Sequence, residues 1–392
     1  MIVPAQVLDL VRRVGPDTLP AYVYDLGALA AHAAAIRAAL PRAVEFYYAV
    51  KANPDTAVLR ALAPHADGFE VSSGGEVEHA AAAAPDRPLA FGGPGKTADE
   101  LATALKAGTF RFHVESPHEL AMLDAAARAA GQQADVLLRV NPPGRTAGDQ
   151  AQLVMGGQPS PFGMDMGLLR ACTELLSRMD AVRLRGLHAH LASGLDADAL
   201  LAQARRLVEF GRGWCAAQGV AEPEFNLGGG MAVDYARPDA PFGWAAYGRG
   251  LARLARGGET LRIEPGRAVT AYCGWYLTRV LDVKRSHGEA FAVVAGGTHH
   301  LRTPAAKGHD QPCAVISVPD WASPWPRPGV SAQAVTITGQ LCTPKDVLAR
   351  RVAVKRLRAG DVVAFGLAGA YAWNISHHGF LMHPPPAFHY LT

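Results

Sequence analysis

From Tyr22 to Tyr272 short apolar runs alternate with Ala/Leu-rich stretches of helical period. The eight runs are "EFYYAVKANP", "DGFEVSSGGE", "PLAFGGPGK", "FRFHVES", "DVLLRVNP", "RLRGLHAHLASG", "EFNLGGGM" and "LRIEPGR". Between them lie stretches such as "DTAVLRALAPH", "TADELATALKAG" and "SPHELAMLDAAARAAG". Several of these open on a capping residue with a carboxylate three positions on, and several end at Gly or Pro. Strand-helix alternation implies βαβ units and a parallel sheet, because a parallel neighbour is reached only by a crossover. Eight such strands predict an α/β fold whose sheet closes into a (β/α)8 TIM barrel rather than staying open.

After Cys273 the pattern changes. "CGWYLTRVLDVKRS", "GEAFAVVAGG", "SAQAVTITGQL" and "DVVAFG" alternate or are β-branched, and predict a second, mostly β domain, sandwich-like or barrel-like. The N-terminal "LPAYVYD" reads as a further strand that could join either domain. The boundaries adopted are a barrel over 27–273 and a β domain from 1–26 plus 274–392. A chain of 392 residues exceeds what one core usually spans, which agrees with two domains.

Composition narrows the function classes. The 38 basic residues nearly balance 35 acidic ones and form no Lys/Arg block, which argues against nucleic acid as a partner. No run approaches a membrane span and no basic segment precedes a sustained apolar one, so the expectation is a cytoplasmic protein with no membrane partner. Five scattered cysteines without a CxxC pair argue against a disulfide framework or a zinc knuckle, and no metal is expected.

The ends of the runs carry the chemistry, since barrel sites form at the C-terminal ends of strands. The first run ends at Lys51 and the second near Glu70; the sixth delivers His190, Ser193 and Gly194. The seventh ends in Gly228, Gly229 and Gly230, and the eighth in Glu264 and Arg267. Three glycines let backbone N–H groups approach an anion, and Arg267 adds a guanidinium, where barrels often bind phosphate. A lysine in a partly apolar pocket can form a Schiff base, and a carboxylate beside a ring nitrogen keeps a pyridinium protonated. Together these groups ask for pyridoxal 5'-phosphate (PLP).

These motifs, in this order, resemble those of the alanine-racemase-like, fold-type III PLP decarboxylases, which include ornithine and diaminopimelate decarboxylases. "YYAVKANP" resembles the family's PLP-lysine strand, and "HAHLASG" its His-x-Gly-Ser element with Ala192 in place of the usual Gly. "NLGGGM" and "IEPGR" match its phosphate and pyridine motifs, "GQLCTPKDVL" its cysteine segment, and Gly369–Tyr371 its C-terminal "GAY". The resemblance implies that Lys51 carries the cofactor, with Glu70 among the cofactor-binding residues. His190 would stack on the ring and Glu264 would pair with the pyridine nitrogen. Ser193, Gly229, Gly230, Arg267 and Tyr371 would hold the phosphate. It also implies a homodimer with shared active sites, completed by the β domain, in which Cys342 of the partner copy returns a proton to the substrate's α-carbon.

The substrate's distal end departs from the ornithine pattern. Those relatives hold a side-chain ammonium with acids, one of them directly after the cysteine, where this chain has Thr343. The loop "VVAGGTHHLRTPAAKGH" has no acid between Glu289 and Asp310 and offers His299, His300 and Arg302 instead. A buried ammonium without a carboxylate is costly, whereas cationic groups suit a carboxylate-bearing tail. The ending "NISHHGFLMHPPP" resembles the branch that decarboxylates acylated amino acids in siderophore pathways. The expected substrate is therefore an N-citryl-type diamino acid, such as N-citrylornithine or citryl-diaminopropionate. Alternatives are diaminopimelate, a carrier-bound acyl amino acid, or a non-enzymatic PLP-binding regulator, although a regulator would be expected to lose Lys51, Cys342 or the phosphate motif. Two adjacent histidines on a strand or loop are expected to point apart, so neither His299–His300 nor His377–His378 reads as a metal motif. The long connection "GRTAGDQAQLVMGGQPSPFGMD" is expected to be a lid or binding element, with Pro161 where many relatives have a basic residue.

Overall fold

The eight runs form eight parallel strands that close on themselves: Val44–Ala49, Gly68–Val71, Leu89–Phe91, Arg111–Val114, Ala134–Arg139, Val182–His188, Glu224–Asn226 and Thr260–Ile263. Closure is made by the last strand pairing with the first, Ile263 opposite Phe46. This computed structural model describes residues 1–142 and 153–392. Residues 143–152, the first part of the long connection expected to be a lid or binding element, therefore lie outside the described residues; the rest begins with the short strand Leu153–Val154, paired with Ala192–Ser193, and Pro161 is exposed.

The capping signals act as the sequence indicates. Ser73, Thr97 and Ser116 each accept the backbone N–H of a glutamate three residues on and start the helices Gly74–Ala83, Ala98–Lys106 and Pro117–Ala129. Thr97 and Glu100 complete a reciprocal capping box. Such caps satisfy N–H groups that the first helical turn leaves unpaired.

Within the barrel strands, apolar and polar residues alternate with the two-residue period of a strand. Phe46, Phe69, Phe112, Phe225 and Ile263 are fully or almost fully buried. Phe225 packs so closely on the helix Ala197–Ala217 that any side chain at Gly211 would strike its ring. The intervening positions, Glu45, Arg111, His113, Glu224, Asn226, Arg262 and Glu264, are polar. At the N-terminal ends of the strands they form ion pairs: Arg111 Nε donates to Glu224 Oε2 at 2.7 Å, and Arg262 Nε donates to Glu45 Oε2 at 2.7 Å.

The chain divides into two compact units, Ala30–Ala232 with Phe242–Val269, and Met1–Leu29 with Val233–Pro241 and Thr270–Thr392. The second unit is built on a mixed sheet ordered Cys313–Ile316, Val362–Phe365, Gly274–Ser286, Glu289–Val294, Gly329–Thr338, Val347–Arg358. The "LPAYVYD" strand, Ala21–Asp25, joins this sheet antiparallel to Gly274–Ser286 and parallel to Ala387–Leu391. The helix Ala5–Val14 buries Val7, Leu10 and Val11, spaced for one helical face, against Val23, Leu277 and Val362. Among the described residues no helix is long and apolar enough to cross a membrane.

Candidate active site

Lys51 lies in a single 3-10 turn, Val50–Ala52, that follows the first barrel strand. The buried aromatic run before it fixes the backbone, and the turn leaves the lysine side chain 42% exposed. Its Nζ lies 2.7 and 2.5 Å from the two carboxylate oxygens of Glu70, whose side chain is 5% exposed, and 3.3 Å from Ser72 Oγ. Ser72 in turn donates to Glu70 Oε1 at 3.0 Å. A charged amine is thus held between an anion and a hydroxyl at the C-terminal end of the barrel.

Glu264, the first residue after the eighth strand, is buried among groups from three other strands. Asn226 Nδ2 donates to Glu264 Oε1 at 2.6 Å and to His113 Nε2 at 3.2 Å. Nε2 of His188 lies 3.5 Å from Glu264 Oε2, and the His113 and His188 rings are 4.2 Å apart. Burial, and then His188 in the case of His113 and the charge of Arg139 in the case of His188, holds both imidazoles well below their usual pKa, so they are neutral. Among the described residues, Nδ1 of His113 and both nitrogens of His188 are buried without a hydrogen-bond partner. Unpaired buried polar atoms in a native fold call for an explanation, and a ligand is one. The donor atoms of His113, His188 and Glu264 lie within 4.8 Å of one another, a spacing a metal ion could use. The Nε2 lone pair of His113, however, already accepts the Asn226 amide proton.

His190 follows the sixth strand, and its Nδ1 accepts the Gly229 N–H at 3.2 Å. Burial, together with the charges of Arg139 and Lys51, pushes its pKa down to about 3. At neutral pH its ring is therefore an uncharged plane. The glycine run brings three loops together: a side chain at Gly229 would strike the Glu264 carbonyl, and one at Gly230, φ +101°, the Ala192 carbonyl. The Gly230 carbonyl accepts the N–H groups of Gly194 and Leu195 at 2.8 and 3.0 Å. Ser193 is half-buried beside this contact, and Arg267 starts the short helix Arg267–Thr270. Lysine, buried carboxylate, neutral imidazole and a glycine loop thus occupy one end of one barrel. The set fits PLP: an amine for its carbonyl, a carboxylate for its ring nitrogen, backbone amides for its phosphate, and orphaned imidazole nitrogens in need of a partner.

The remaining predicted residues belong to the β-rich unit. Cys342 is exposed and Thr343 half-buried, in a loop after the strand Gly329–Thr338. Tyr371 is half-buried with φ +49°, its carbonyl accepting Thr303 Oγ1 at 2.5 Å. His299 and His300 do not point apart; their ring centroids are 4.0 Å from each other. They sit in a tight turn, His300 N and Leu301 N both donating to the Gly297 carbonyl, so the two-residue alternation of a strand does not apply. His300 Nε2 donates to the Pro384 carbonyl and its Nδ1 accepts from Tyr276 Oη, each at 3.1 Å. Burial pushes the pKa of His299 to about 4 and that of His300 to about 3, so neither is a cation at neutral pH. Arg302 is exposed; its backbone N–H donates to Ser376 Oγ and its carbonyl accepts the Ala306 N–H. His378 stacks on Trp373 with ring centroids 3.6 Å apart, and burial lowers the His377 pKa.

His113, His188 and Asn226 were not picked out from the sequence. For His113 and Asn226 the signal is the alternation in "RFHV" and "EFN", where polar residues occupy every second position of strands whose other face is fully apolar; His188, in "VRLRGLH", is off the alternation of its strand's arginines and had no such signal.

Comparison with known proteins agrees with this geometry. Residues 26–271 match the family described as "Pyridoxal-dependent decarboxylase, pyridoxal binding domain". A 2-[(L-alanin-3-ylcarbamoyl)methyl]-2-hydroxybutanedioate decarboxylase of Staphylococcus aureus is 38% identical over 95% of this chain and 94% of its own. An L-glutamyl-[BtrI acyl-carrier protein] decarboxylase of Niallia circulans is 31% identical over 97% of this chain and 90% of its own. The crystal structure of diaminopimelate decarboxylase from Helicobacter pylori complexed with L-lysine shares the fold with a TM-score of 0.85 at 23% identity, covering 98% of this chain and 94% of that one. A family match over most of the chain and a 38% identical relative of nearly equal extent place this protein in the pyridoxal-dependent decarboxylase family, as a PLP-dependent amino-acid decarboxylase.

Proposed function

We propose that the protein removes the α-carboxylate of an acylated diamino acid with an anionic tail, an N-citryl-type compound such as citryl-diaminopropionate or N-citrylornithine, in carboxylate siderophore biosynthesis. The observation that carries this reading is the loop over 295–310, which has no carboxylate before Asp310 and an exposed arginine, Arg302. Arg302 is the group to pair with a tail carboxylate; His299 and His300, both neutral, contribute hydrogen bonding or shape rather than charge, and Thr343 a hydroxyl. The name of the Staphylococcus aureus relative supports the reading, because its substrate is a diaminopropionate amide bearing two further carboxylates.

Bound PLP supplies an electron sink for the pair of electrons left when the α-carboxylate departs as CO2. Lys51, steadied by Glu70 and Ser72, is the residue to hold the cofactor covalently. Glu264, backed by Asn226, would pair with its ring nitrogen, and neutral His190 would offer a flat surface without a competing charge. Ser193, Gly229, Gly230, Arg267 and Tyr371 would hold its phosphate. Cys342, contributed by a second copy in a homodimer, holds the proton that returns to the α-carbon. The cytoplasm is the compartment this chemistry suits.

The test is CO2 release by the PLP-loaded protein from citryl-diaminopropionate, N-citrylornithine, meso-diaminopimelate and ornithine side by side. Preference for a citryl compound is expected, and preference for diaminopimelate would refute the anionic-tail reading. Arg302→Ala should raise KM for the citryl substrate about 10–100-fold, the loss of one charge-assisted pair, with cofactor affinity unchanged. An unchanged KM removes Arg302 from the tail site. A carrier-bound acyl amino acid is the second reading, supported by the Niallia circulans relative; turnover only of carrier-loaded substrate would select it.

A further inference from the structure

The β-rich unit contains a buried carboxylate that the assignments above leave unused. Asp346 is 2% exposed, and among the described residues it forms no ion pair. Its charge is met by main-chain N–H groups instead. Oδ1 accepts Thr298 N–H at 2.6 Å and Oδ2 accepts Leu341 N–H at 2.9 Å. Its own backbone closes the same loop, with Gly339 N–H donating to the Asp346 carbonyl at 3.0 Å and Asp346 N–H to the Thr343 carbonyl at 3.1 Å. A further bond, from Gln340 N–H to the Gly296 carbonyl at 2.8 Å, laces the two loops together.

The glycines make this approach possible. A side chain at Gly297, φ +151°, would begin 2.5 Å from one Asp346 oxygen and 2.6 Å from the other. One at Gly339 would strike both that carboxylate and the Gly297 Cα. Two loops therefore meet main chain to main chain on a single anion: one leads from Gly297 into His299, His300 and Arg302, and the other from Gly339 into Cys342 and Thr343. Hydrogen bonds to a charged acceptor are stronger and shorter than neutral ones, and here they fix Leu341, the residue directly before the cysteine.

We propose that Asp346 is a positioning residue that holds Cys342 in its working place, by tying the loop that carries the thiol to the loop that begins at Gly297. The proposal rests on the reading that Cys342 returns the proton. An uncharged amide at this position would present an N–H group to one of the two backbone N–H groups and release one loop. Because misplacing a reacting group by about 1 Å can lower the rate ~100-fold, Asp346→Asn should reduce kcat about 10–100-fold.

The experiment is a double-mutant cycle on the PLP-loaded protein, with wild type, Cys342→Ala, Asp346→Asn and the double variant compared for CO2 release from citryl-diaminopropionate. If Asp346 acts through Cys342, Asp346→Asn will lower kcat in the wild-type background but only within about twofold in the Cys342→Ala background. Fully additive losses overturn the proposal and leave Asp346 as a stabiliser. An unimpaired Cys342→Ala enzyme overturns both the thiol's role and its positioning. A substrate-free readout separates these from a wrong substrate: alkylation of Cys342 by iodoacetamide, followed by mass spectrometry, should change about fivefold or more in Asp346→Asn, while Cys172 and Cys215, buried elsewhere, keep their rates. An unchanged Cys342 rate overturns the proposal even if no substrate has been found. Should Asp346→Asn fail to fold, Asp346→Glu takes its place in both measurements, and failure of both to fold assigns Asp346 to stability alone and overturns the positioning role.

Discussion

Near the N-terminal ends of the barrel strands, Arg111, Arg262, Glu45, Asp135 and Glu224 form one connected set of ion pairs, Arg111 reaching both Asp135 and Glu224 and Arg262 both Glu45 and Glu224. At the C-terminal ends, the comparable interior positions hold His113, His188, Asn226 and Glu264, and three imidazole nitrogens there have no hydrogen-bond partner among the described residues. Burial raises the pKa of Glu224, but hydrogen bonds from Arg111 and the charges of Arg262 and Arg111 outweigh it and hold the carboxyl below its usual range. The first end satisfies itself and serves the fold. The second leaves polar capacity for a ligand, which is the division of labour expected of a barrel.

The largest test of this contrast is Lys51→Ala, which should cut CO2 release by about three orders of magnitude and abolish the visible absorbance of covalently held cofactor, with little change in Tm. Substantial remaining activity would move the chemistry away from Lys51. At the opposite end, Glu224→Gln leaves Arg111 and Arg262 short of a buried counter-charge and should destabilise the fold by about 3–5 kcal/mol in urea denaturation, while the folded fraction binds PLP normally. Equal loss of PLP affinity would show that the two ends are not separate.

A third test uses pH. His113, His188 and His190 stay neutral in the fold, their pKa values depressed first by burial, and become free to take up protons on unfolding near pH ~6.5. The unfolded chain then binds more protons, so their contribution to stability is full above pH ~6.5 and declines as pH falls, by about 1.4 kcal/mol per pH unit for each imidazole. Urea midpoints at pH 7, 6 and 5 should show this fall, and His188→Gln should make it shallower; an unchanged slope would mean His188 is protonated in the fold. The smallest expected effect is Gly230→Ala. Its φ of +101° and the nearby Ala192 carbonyl impose strain of about 1–3 kcal/mol, which should appear as weaker PLP retention on gel filtration. Retention equal to wild type would take Gly230 out of the phosphate loop.

Much of the barrel was legible because its signals are local. Caps such as Thr97 with Glu100, and the apolar period of each strand, act within a few residues. The lysine, the triglycine and the Glu264–Arg267 segment were legible because each follows its strand directly. The strands Cys313–Ile316, Val347–Arg358 and Ala387–Leu391 were not, because the β-rich sheet is assembled from distant segments whose sides are only partly buried. The turn geometry that presses His299 onto His300 was likewise invisible, since it depends on Gly297 meeting Asp346 across 49 positions of chain (346 − 297).

The sequence by itself determined the alternation that closes the barrel, the period-two placement of polar residues inside it, and the position of Lys51 at a strand end. Those follow from rules of short range: strand period, helix capping and backbone freedom at glycine. Only the tertiary structure decided that Asn226 would bridge Glu264 to His113, a residue 113 positions away, that His188 would be left with two nitrogens unpartnered among the described residues, and that one aspartate would anchor two loops of the β-rich unit. Side chains this far apart in sequence meet only after the sheet has closed, and the hydrogen bonds they then form or lack depend on positions fixed to within an ångström, which no local pattern encodes.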